Sequence, residues 1–337
     1  METKRLALLE ILNQVKPGLA NKEILEQTTC FAFDGKRVVT YNDEIAISHP
    51  CVLGIEGAVK AKELYALLNK LKDETIDISS SESELLVKGG RSKAGIRLEA
   101  EVTLPLDEIK EPKKWNKLPA DFAASVDFCH FSAGKDMAKP LLTCIHVFGD
   151  TVESCDNFRL TRKTMAGKIK DALLLPSEAA KTLCDYAPTE YGETDGWAHF
   201  RNDAGTSFSL RTYEGQYPDI GKYMEVDNPN EIKMPADLGE ILERAGVFSD
   251  SDFDHDEKVT ISLSGKEMTI RGEGAAGWFE ESCPVRWRGA KDISFGVHPD
   301  FLHQMLDHIK TVEVSPEQGR LRIAGDDFTH IIILEAE

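Results

Sequence analysis

The sequence of 337 residues has no apolar stretch near the roughly 18 residues that a membrane-spanning helix requires. The first apolar run is cut by Glu10, so we expect no secretory signal peptide. The seven cysteines are scattered and odd in number, and none forms a Cys-x-x-Cys pair, which argues against a disulfide framework and a structural zinc site. These absences predict a cytoplasmic protein with reduced thiols and no membrane partner.

Catalytic motifs are missing as well. The sequence contains no Gly-rich phosphate loop, no Gly-x-Ser-x-Gly elbow and no His-Glu-x-x-His pair. The best metal candidate runs from Asp250 to Asp256, where alternating carboxylates resemble the start of a calcium loop. His255 stands where that loop needs glycine and Ile261 where it needs a bidentate glutamate, so a solvated loop is the favoured interpretation. We therefore predict no metal, no cofactor, no catalytic residue and no enzymatic activity.

Acidic residues outnumber basic ones by 58 to 40, which gives a formal net charge of −18. Such an excess argues against a protein that holds DNA by affinity alone, because phosphate contacts need clustered lysine and arginine. The charge is unevenly distributed: residues 1–112 carry −4, residues 113–226 carry −2 and residues 227–337 carry −12. Basic side chains still cluster locally, so nucleic acid stays possible as a partner.

Short strand-like runs separated by turn residues dominate the sequence, and they predict antiparallel hairpins. One clear case is Asp34-Gly35, which lies between two apolar runs. Apolar residues at helical spacing occur in six places. They predict helices over residues 5–15, 58–72, 120–132, 177–187, 237–248 and 299–310.

The order helix, strands, helix, strands occurs three times, and corresponding helices lie about 120 residues apart. Two stretches rich in proline and charged residues, 110–117 and 226–233, separate the three copies. The sequence therefore predicts an α+β protein with three repeats, comprising residues 1–112, 113–226 and 227–337.

Several short motifs occur in order along nearly the whole chain. They are residues 29–35 with 42–45 (an opening hairpin), 90–93 (Gly-Arg-Ser-Lys), 154–160 (Ser-Cys-Asp-Asn-Phe-Arg-Leu), 213–219 (Tyr-Glu-Gly-Gln-Tyr-Pro-Asp), 243–249 and 297–302. Together they resemble the bacterial and phage-type DNA polymerase sliding clamp, the beta subunit of DNA polymerase III. The Arg159-Leu160 pair and the later Tyr217-Pro218-Asp219 segment are the most specific part of the resemblance.

The resemblance implies three DNA-clamp domains, each with two helices packed on antiparallel sheets, and a ring closed by two chains in a head-to-tail homodimer. It implies a non-catalytic processivity factor that encircles double-stranded DNA without reading its sequence. The implied partners are a DNA polymerase and a clamp-loader ATPase, and the implied location is the cytoplasm, at the nucleoid during replication. A ring linked to DNA by topology needs no strong phosphate binding, which agrees with the net charge.

The resemblance also implies a cleft for partner peptides between the second and third repeats, because short apolar motifs need an apolar groove. The residues carried over to this cleft are Leu142, Asp156, Arg159, Leu160, Pro218, Lys222, Tyr223, Ile332, Ile333 and Leu334. Taken alone, Leu142, Leu160 and Ile332 are equally typical of ordinary strand core.

Two further sets of residues follow from the same resemblance. The DNA-facing set is Lys4, Lys22, Lys60, Lys70, Lys135 and Lys139. The interface between subunits is expected to pair Ile96 and Leu98 of one chain with Val247 and Phe248 of the other. The acidic excess of the third repeat is expected on the outer surface, away from DNA.

The sequence departs from the clamp pattern in places. Asn157 replaces a motif glycine and Phe158 a polar residue, and the chain ends without the apolar and basic tail of the family. The preferred partner motif therefore stays open. Two alternatives also stay open: a clamp-like interaction protein that does not close on DNA, and a metal-dependent hydrolase that uses the loop from Asp250 to Asp256.

Overall fold

The computed structural model describes residues 1–249, 257–289 and 291–335. Within them the chain forms antiparallel sheets with few helices, which confirms the predicted α+β class. Two compact units are present. Unit 1 comprises Met1–His130, Cys144–Asp150 and Ala166–Gly215, and unit 2 comprises Phe131–Thr143, Thr151–Met165 and Gln216–Glu337. The division into three domains stays a prediction.

The described residues contain 25 strands. The first twelve are β1 (Glu2–Lys4), β2 (Cys30–Asp34), β3 (Arg37–Tyr41), β4 (Ile45–Pro50), β5 (Glu56–Lys60), β6 (Thr75–Ser80), β7 (Glu84–Gly89), β8 (Ser92–Glu99), β9 (Asn116–Lys117), β10 (Cys144–Phe148), β11 (Thr151–Cys155) and β12 (Arg159–Thr164). The others are β13 (Leu173–Pro176), β14 (Glu190–Thr194), β15 (Trp197–Arg201), β16 (Ser207–Arg211), β17 (Asn230–Lys233), β18 (Val259–Ser264), β19 (Glu267–Gly274), β20 (Gly277–Pro284), β21 (Arg286–Arg288), β22 (Ile293–Val297), β23 (Thr311–Ser315), β24 (Arg320–Ala324) and β25 (Phe328–Ile333).

Each of the six predicted helical segments contains an α-helix. These are α1 (Arg5–Val15), α2 (Ala61–Lys70), α3 (Phe122–Cys129), α4 (Ser177–Cys184), α5 (Leu238–Gly246) and α6 (Pro299–His303). The helices pack in pairs, α1 on α2, α3 on α4 and α5 on α6, as three repeats with two helices each would require. Each helix buries its apolar stripe, which for α1 consists of Leu8, Leu9, Leu12 and Val15.

The last helix is shorter than its apolar pattern predicts. The segment 299–310 forms α6 over five residues and then a short 3-10 helix, Leu306–His308. Main-chain bonds tighten at that point, since the amide of Met305 donates to the carbonyl of Leu302 at 3.1 Å. Both side chains are fully buried, so the same apolar residues reach the core without a continuous helix.

Unit 1 contains a twelve-stranded antiparallel sheet in the order β1-β6-β7-β8-β5-β2-β3-β4-β16-β15-β14-β9. The predicted hairpin at Asp34-Gly35 is confirmed, because β2 and β3 pair antiparallel and Gly35 has the positive φ of 89° that the turn requires. Strands β4 and β16 pair directly, with Ile47 opposite Phe208. The sheet therefore joins strands from the first and second predicted repeats.

Unit 2 contains two antiparallel arrangements. One runs in the order β11-β12-β25-β24-β23-β17-β21, and the other is a four-stranded sheet in the order β20-β19-β18-β22. Helix α5 packs on the smaller sheet at a very close approach, where a Cβ atom on Gly272 would lie 2.0 Å from the carbonyl oxygen of Ala245. Glycine at this position lets the helix backbone rest directly on β19.

Candidate partner-binding site

The candidate site is built on the central strands of unit 2. Strand β12 pairs with β25, so that Arg159 lies opposite Ile332 and Leu160 opposite Ile331. Successive side chains of a strand point to opposite faces, so Arg159 and Leu160 lie on different faces of the sheet. The register therefore divides the predicted cleft residues between two surfaces.

The turn between β11 and β12 is held by the side chain of Asp156. Its Oδ1 atom accepts from the main-chain amides of Phe158 at 2.7 Å and Arg159 at 2.8 Å. The turn is also tied to the end of β25, because the amide of Ile333 donates to the carbonyl of Phe158 at 2.7 Å. An aspartate whose carboxylate accepts hydrogen bonds from two successive main-chain amides stabilises a tight turn, which explains the presence of aspartate at this position.

One face carries a cavity of about 370 Å³, which we call the Arg159 pocket. Its lining includes charged residues of both signs, aromatic residues and one leucine. They are Ala133, Gly134, Lys135, Asp136, Lys139, Leu142, Asp156, Asn157, Phe158, Arg159, Glu257, His298, Asp300, Phe301 and Gln304. All belong to unit 2.

Arg159 forms the base of this pocket and is only 8% exposed. Its Nε atom donates to Oδ2 of Asp156 at 3.2 Å, and Nη1 donates to the side-chain oxygen of Gln304. The guanidinium carbon lies 4.1 Å from the ring centre of Phe301, a cation–π contact. Burial lowers the pKa of Arg159 while the neighbouring Asp156 and Asp300 raise it, and an arginine in a protein keeps its charge.

An aromatic wall lines the same pocket. The rings of His298 and Phe301 stack with centroids 4.1 Å apart, and Phe158 lies 6.4 Å from Phe301 in a tilted arrangement. His298 also accepts from the amide of Asp300 at 3.2 Å and so begins α6. The pocket thus offers flat apolar surface beside a fixed positive charge, which suits a partner that brings an aromatic or aliphatic side chain.

A buried polar chain supports the pocket from below. The hydroxyl of Thr161 lies 2.6 Å from that of Ser132 and 2.8 Å from Nδ1 of His330. Burial lowers the pKa of His330 to about 3, so the imidazole is neutral at pH 7. Its Nε2 atom is buried without a hydrogen-bond partner among the described residues. This cluster is structural, because it is closed off from solvent.

The opposite face carries a second surface, which we call the Tyr223 patch. It comprises Pro218, Lys222, Tyr223, Arg320 and Ile333, all of them exposed except the half-buried Arg320. The segment that brings the first three to the sheet is anchored by Tyr217. Its hydroxyl accepts from the amide of Cys155 at 3.0 Å.

Arg320 connects the two halves of this patch. On the neighbouring strand it lies directly opposite Ile333, so both side chains stand on one face. Its guanidinium carbon lies 5.3 Å from the ring centre of Tyr223, and the ammonium of Lys222 lies 4.9 Å from the same centre. The patch therefore presents two apolar side chains flanked by two cations.

The ten predicted cleft residues all lie in unit 2, and the structure distributes them as follows. The Arg159 pocket takes Leu142, Asp156 and Arg159, and the Tyr223 patch takes Pro218, Lys222, Tyr223 and Ile333. Leu160, Ile332 and Leu334 are buried, with Leu160 on the face of the Tyr223 patch and Ile332 on the other. The assignment of all ten to partner binding stays a prediction.

Sequence reasoning missed four residues that contribute directly to these surfaces: His298, Phe301, Gln304 and Arg320. The sequence pattern identifies the segment containing His298 and Phe301 only as part of a helix. No local pattern marks Arg320, which becomes visible only once the register of β24 with β25 is known. Only the pairing of β24 with β25 identifies Arg320 as part of this surface.

The predicted DNA-facing lysines differ in their surroundings. Lys4, Lys22 and Lys70 in unit 1, and Lys135 and Lys139 in unit 2, are exposed. Lys139 donates to the side-chain oxygen of Asn157 at 3.0 Å. Lys60 is half-buried, and its ammonium contacts both carboxylate oxygens of Glu23 at 2.6 Å, which neutralises much of its charge.

The predicted interface residues divide in a similar way. Val247 is 66% exposed at the end of α5, whereas Phe248 and Ile96 are half-buried. Leu98 is buried within unit 1, where it packs against the backbone near Gly57. Leu98 can therefore support an interface but can contribute little surface to it.

Two features predicted from the sequence lie in segments that the structure does not describe. The loop from Asp250 to Asp256 lies outside the described residues, and so does the chain end after residue 335. In the described part of the chain, no group of three or more histidine, cysteine, aspartate or glutamate side chains is placed to hold a metal ion. No helix in that part is long and apolar enough to span a membrane.

Bacterial sliding clamps of known structure share this fold. The DNA polymerase III subunit beta from Pseudomonas aeruginosa matches with a TM-score of 0.86 at 17% sequence identity, covering 100% of this chain and 99% of that chain. The beta chain from Streptococcus pneumoniae matches with the same TM-score, identity and coverage. The beta subunit from Thermotoga maritima matches with a TM-score of 0.83 at 15% identity, again over 100% of this chain and 99% of that one.

No family model matches the sequence, and no curated protein matches it at a significant level. The likeness therefore lies in the fold, and it confirms the resemblance noted from the sequence motifs. The chain has the sliding-clamp fold over its whole length.

Proposed function

We propose that this chain is a DNA sliding clamp: a non-catalytic processivity factor that encircles duplex DNA as a head-to-tail homodimer and tethers a DNA polymerase. The observation that carries the proposal is the match of the whole chain to sliding clamps of known structure. The proposed location is the cytoplasm, at replicating DNA.

A free strand edge in unit 1 supports the homodimer. In the described part of the sheet, β8 pairs with β7 from Ser92 to Arg97, whereas on its other side β5 pairs only with Leu98 and Glu99. The main-chain groups of residues 92–97 that face away from β7 are therefore available to another strand. The exposed side chains of this edge include Lys93 and Arg97.

A second free edge lies in unit 2, beside the predicted interface residues. Strand β20 ends the four-stranded sheet, and its exposed or half-buried side chains include Glu280 and Glu281. A Cβ atom on Gly277 would lie 3.6 Å from the ring of Phe248, so the exposed Val247 stands close to this edge. Pairing β8 of one chain with β20 of another would give the free main-chain groups of both edges hydrogen-bond partners and would cover an apolar side chain.

The distribution of basic residues fits a ring that slides. The predicted DNA-facing lysines are single, mostly exposed positions, so each adds only a weak attraction to phosphate. Contacts of this kind carry no sequence information, because bases are read in the grooves.

The two surfaces of unit 2 described above are the proposed docking region for the polymerase and for the loader ATPase.

The decisive experiment tests topology. The protein is loaded on nicked circular DNA by a clamp-loader ATPase with ATP, and the DNA-bound fraction is separated by gel filtration. We expect the protein to stay on the circle and to be lost once a restriction enzyme cuts it. Equal retention on circular and linear DNA would contradict encirclement and would favour ordinary DNA binding.

Val247→Asp provides the matched test of the ring. A carboxylate in a covered apolar contact is costly, so we expect this variant to sediment as a monomer and to lose retention on circular DNA. Val52→Asp is the control, because Val52 is 72% exposed and lies outside the proposed interface. A Val247→Asp protein that remains dimeric would refute this interface.

Two other functions are compatible with the sequence. A clamp-like interaction protein that does not close on DNA would bind partners but show no difference between circular and linear DNA. A hydrolase that uses the loop from Asp250 to Asp256 would bind calcium, magnesium or manganese, which isothermal titration calorimetry detects directly. We favour the clamp because the fold match spans the entire chain.

A further inference from the structure

We propose that Glu23 acts as an internal substitute for a DNA phosphate: its carboxylate occupies the ammonium of Lys60 and keeps this lysine from pairing with the duplex. The inference rests on the proposed function, because Lys60 belongs to the predicted DNA-facing set. A ring that slides has to attract DNA weakly, and Glu23 limits the strength of one contact. Glu23 belongs to none of the residue sets taken from the sequence.

The ion pair between Glu23 and Lys60 has the geometry of a bound phosphate. The ammonium of Lys60 lies 2.6 Å from both carboxylate oxygens of Glu23 and donates to the hydroxyl of Thr29 at 3.2 Å. The side chains of Lys60 and Glu23 are 40% and 38% exposed, so the pair is open to another anion. A carboxylate offers one negative charge and two acceptor oxygens, as a phosphodiester does. A DNA phosphate at this position therefore competes with Glu23 for the same ammonium.

The carboxylate of Glu23 is held in place from the other side. Its Oε1 atom also accepts from the main-chain amide of Gln27 at 2.9 Å. Gln27 is 3% exposed, and its side-chain amide donates to Glu99 at 2.9 Å and to the carbonyl of Glu101 at 2.8 Å. The hydrogen bonds from Lys60 and from the Gln27 amide hold the pKa of Glu23 below its usual value. The carboxylate thus stays charged and fixed, whereas the long stem of Lys60 is flexible.

The surroundings of this pair are otherwise cationic. A cavity of about 740 Å³ in unit 1 is lined by Lys60 and Glu23, and its lining also includes Lys16 and Lys62. In the part of the chain that the structure describes, no carboxylate pairs with Lys16, Lys22 or Lys62. These three lysines are available to an approaching phosphate, whereas Lys60 has to leave Glu23 first. The chain therefore supplies a competitor at one lysine of the group.

Glu23→Gln tests the competition, because it removes the negative charge and keeps the size of the side chain. The affinity of the full-length protein for a fluorescein-labelled 30-base-pair duplex is measured by fluorescence anisotropy at several salt concentrations. A freed Lys60 adds one phosphate contact. We therefore expect Glu23→Gln to bind about threefold to tenfold tighter at low salt, with a plot of log affinity against log salt that is steeper by about 0.9.

Glu26→Gln is the matched control, since it makes the same change of charge in the same segment. Glu26 is exposed and forms no ion pair among the described residues. Its removal changes only the general field of the protein, so we expect an affinity within about twofold of the wild type and an unchanged salt dependence. Circular dichroism checks that each variant is folded.

Lys60→Gln completes a double-mutant cycle with Glu23→Gln. In the wild type Lys60 is already occupied, so its replacement should leave the slope of the salt plot unchanged. In the Glu23→Gln background the same replacement should lower the slope by about 0.9 and remove the gain in affinity. This difference between the two backgrounds is the signature of an exchange between carboxylate and phosphate at one ammonium.

The other outcomes overturn the inference. Equal affinity and slope for Glu23→Gln and the wild type would show that Glu23 restrains no DNA contact, and so would a failure of both to bind the duplex. An equal gain in Glu26→Gln would reduce the effect to overall charge, and a gain that survives Lys60→Gln would assign it to other lysines. Retention on circular DNA is read separately, so loss of that retention contradicts the clamp proposal even where the exchange at Lys60 is observed.

Discussion

Truncation of Arg159 to alanine should test the structure of the Arg159 pocket directly. The side chain is nearly buried, and its contacts include the carboxylate of Asp156, the amide oxygen of Gln304 and the ring of Phe301. Arg159→Ala removes all three contacts together. It leaves the turn intact, because Asp156 still accepts two main-chain amides.

The expected loss of stability follows from these contacts. Breaking a buried ion pair by removing one partner costs about 3–5 kcal/mol. Asp156 keeps two hydrogen bonds and 16% side-chain exposure, so its uncompensated charge places the cost at the lower end of that range. A cation–π contact adds about 1 kcal/mol. We therefore expect Arg159→Ala to lower the free energy of unfolding by about 4 kcal/mol.

Urea unfolding at pH 7, followed by circular dichroism, measures this loss. A double-mutant cycle with Asp156→Asn isolates the ion pair, for which we expect a coupling of about 1–2 kcal/mol. Lys168→Ala is a control on the same protein, because the Lys168 side chain is 74% exposed and its ammonium lies 3.4 Å from the carboxylate of Asp150. A loss below about 0.5 kcal/mol for Arg159→Ala would refute the contacts described for the pocket.

Two further predictions concern buried groups. His330 has a folded pKa of about 3 against 6.5 in the unfolded chain, so the unfolded state binds more protons between these values and stability falls as the pH is lowered through that window. We expect the free energy of unfolding of His330→Gln, measured with urea between pH 4 and 6, to depend less steeply on pH than that of the wild type, by about 1.4 kcal/mol per pH unit. An unchanged slope would contradict the buried neutral imidazole. Gly272→Ala should lower the midpoint of thermal unfolding by several degrees, because the new Cβ would strike the carbonyl oxygen of Ala245. An unchanged midpoint would show that α5 does not rest on β19 as described.

Local structure was largely predictable from the sequence. The stripe of Leu8, Leu12 and Val15 predicts α1 with its observed ends, and Asp34-Gly35 predicts the first hairpin. These signals are local, since they depend on residues within one turn or one hairpin. The same reasoning extended α6 too far, because tertiary packing buries Met305 without requiring a helix there.

The two surfaces of unit 2 could not be separated from the sequence. Arg159 and Leu160 are neighbours in one motif, yet they face opposite sides of a sheet whose partner strand lies about 170 residues later. Which side chains join each of them depends on that distant register. The same holds for Arg320, whose position beside Tyr223 follows from a strand pairing and a loop, with no motif to mark either.

The antiparallel ladders that hold both surfaces in place have a consequence for how such a chain can change. Their hydrogen bonds join main-chain groups, and every residue except proline offers the same donor and acceptor. A strand can therefore exchange nearly all of its side chains and keep its partners, provided that the alternation of buried and exposed positions survives. Sequence similarity can thus fade while the ladder persists. Change would then appear first at exposed positions such as Tyr223, whose side chain the ladder does not constrain.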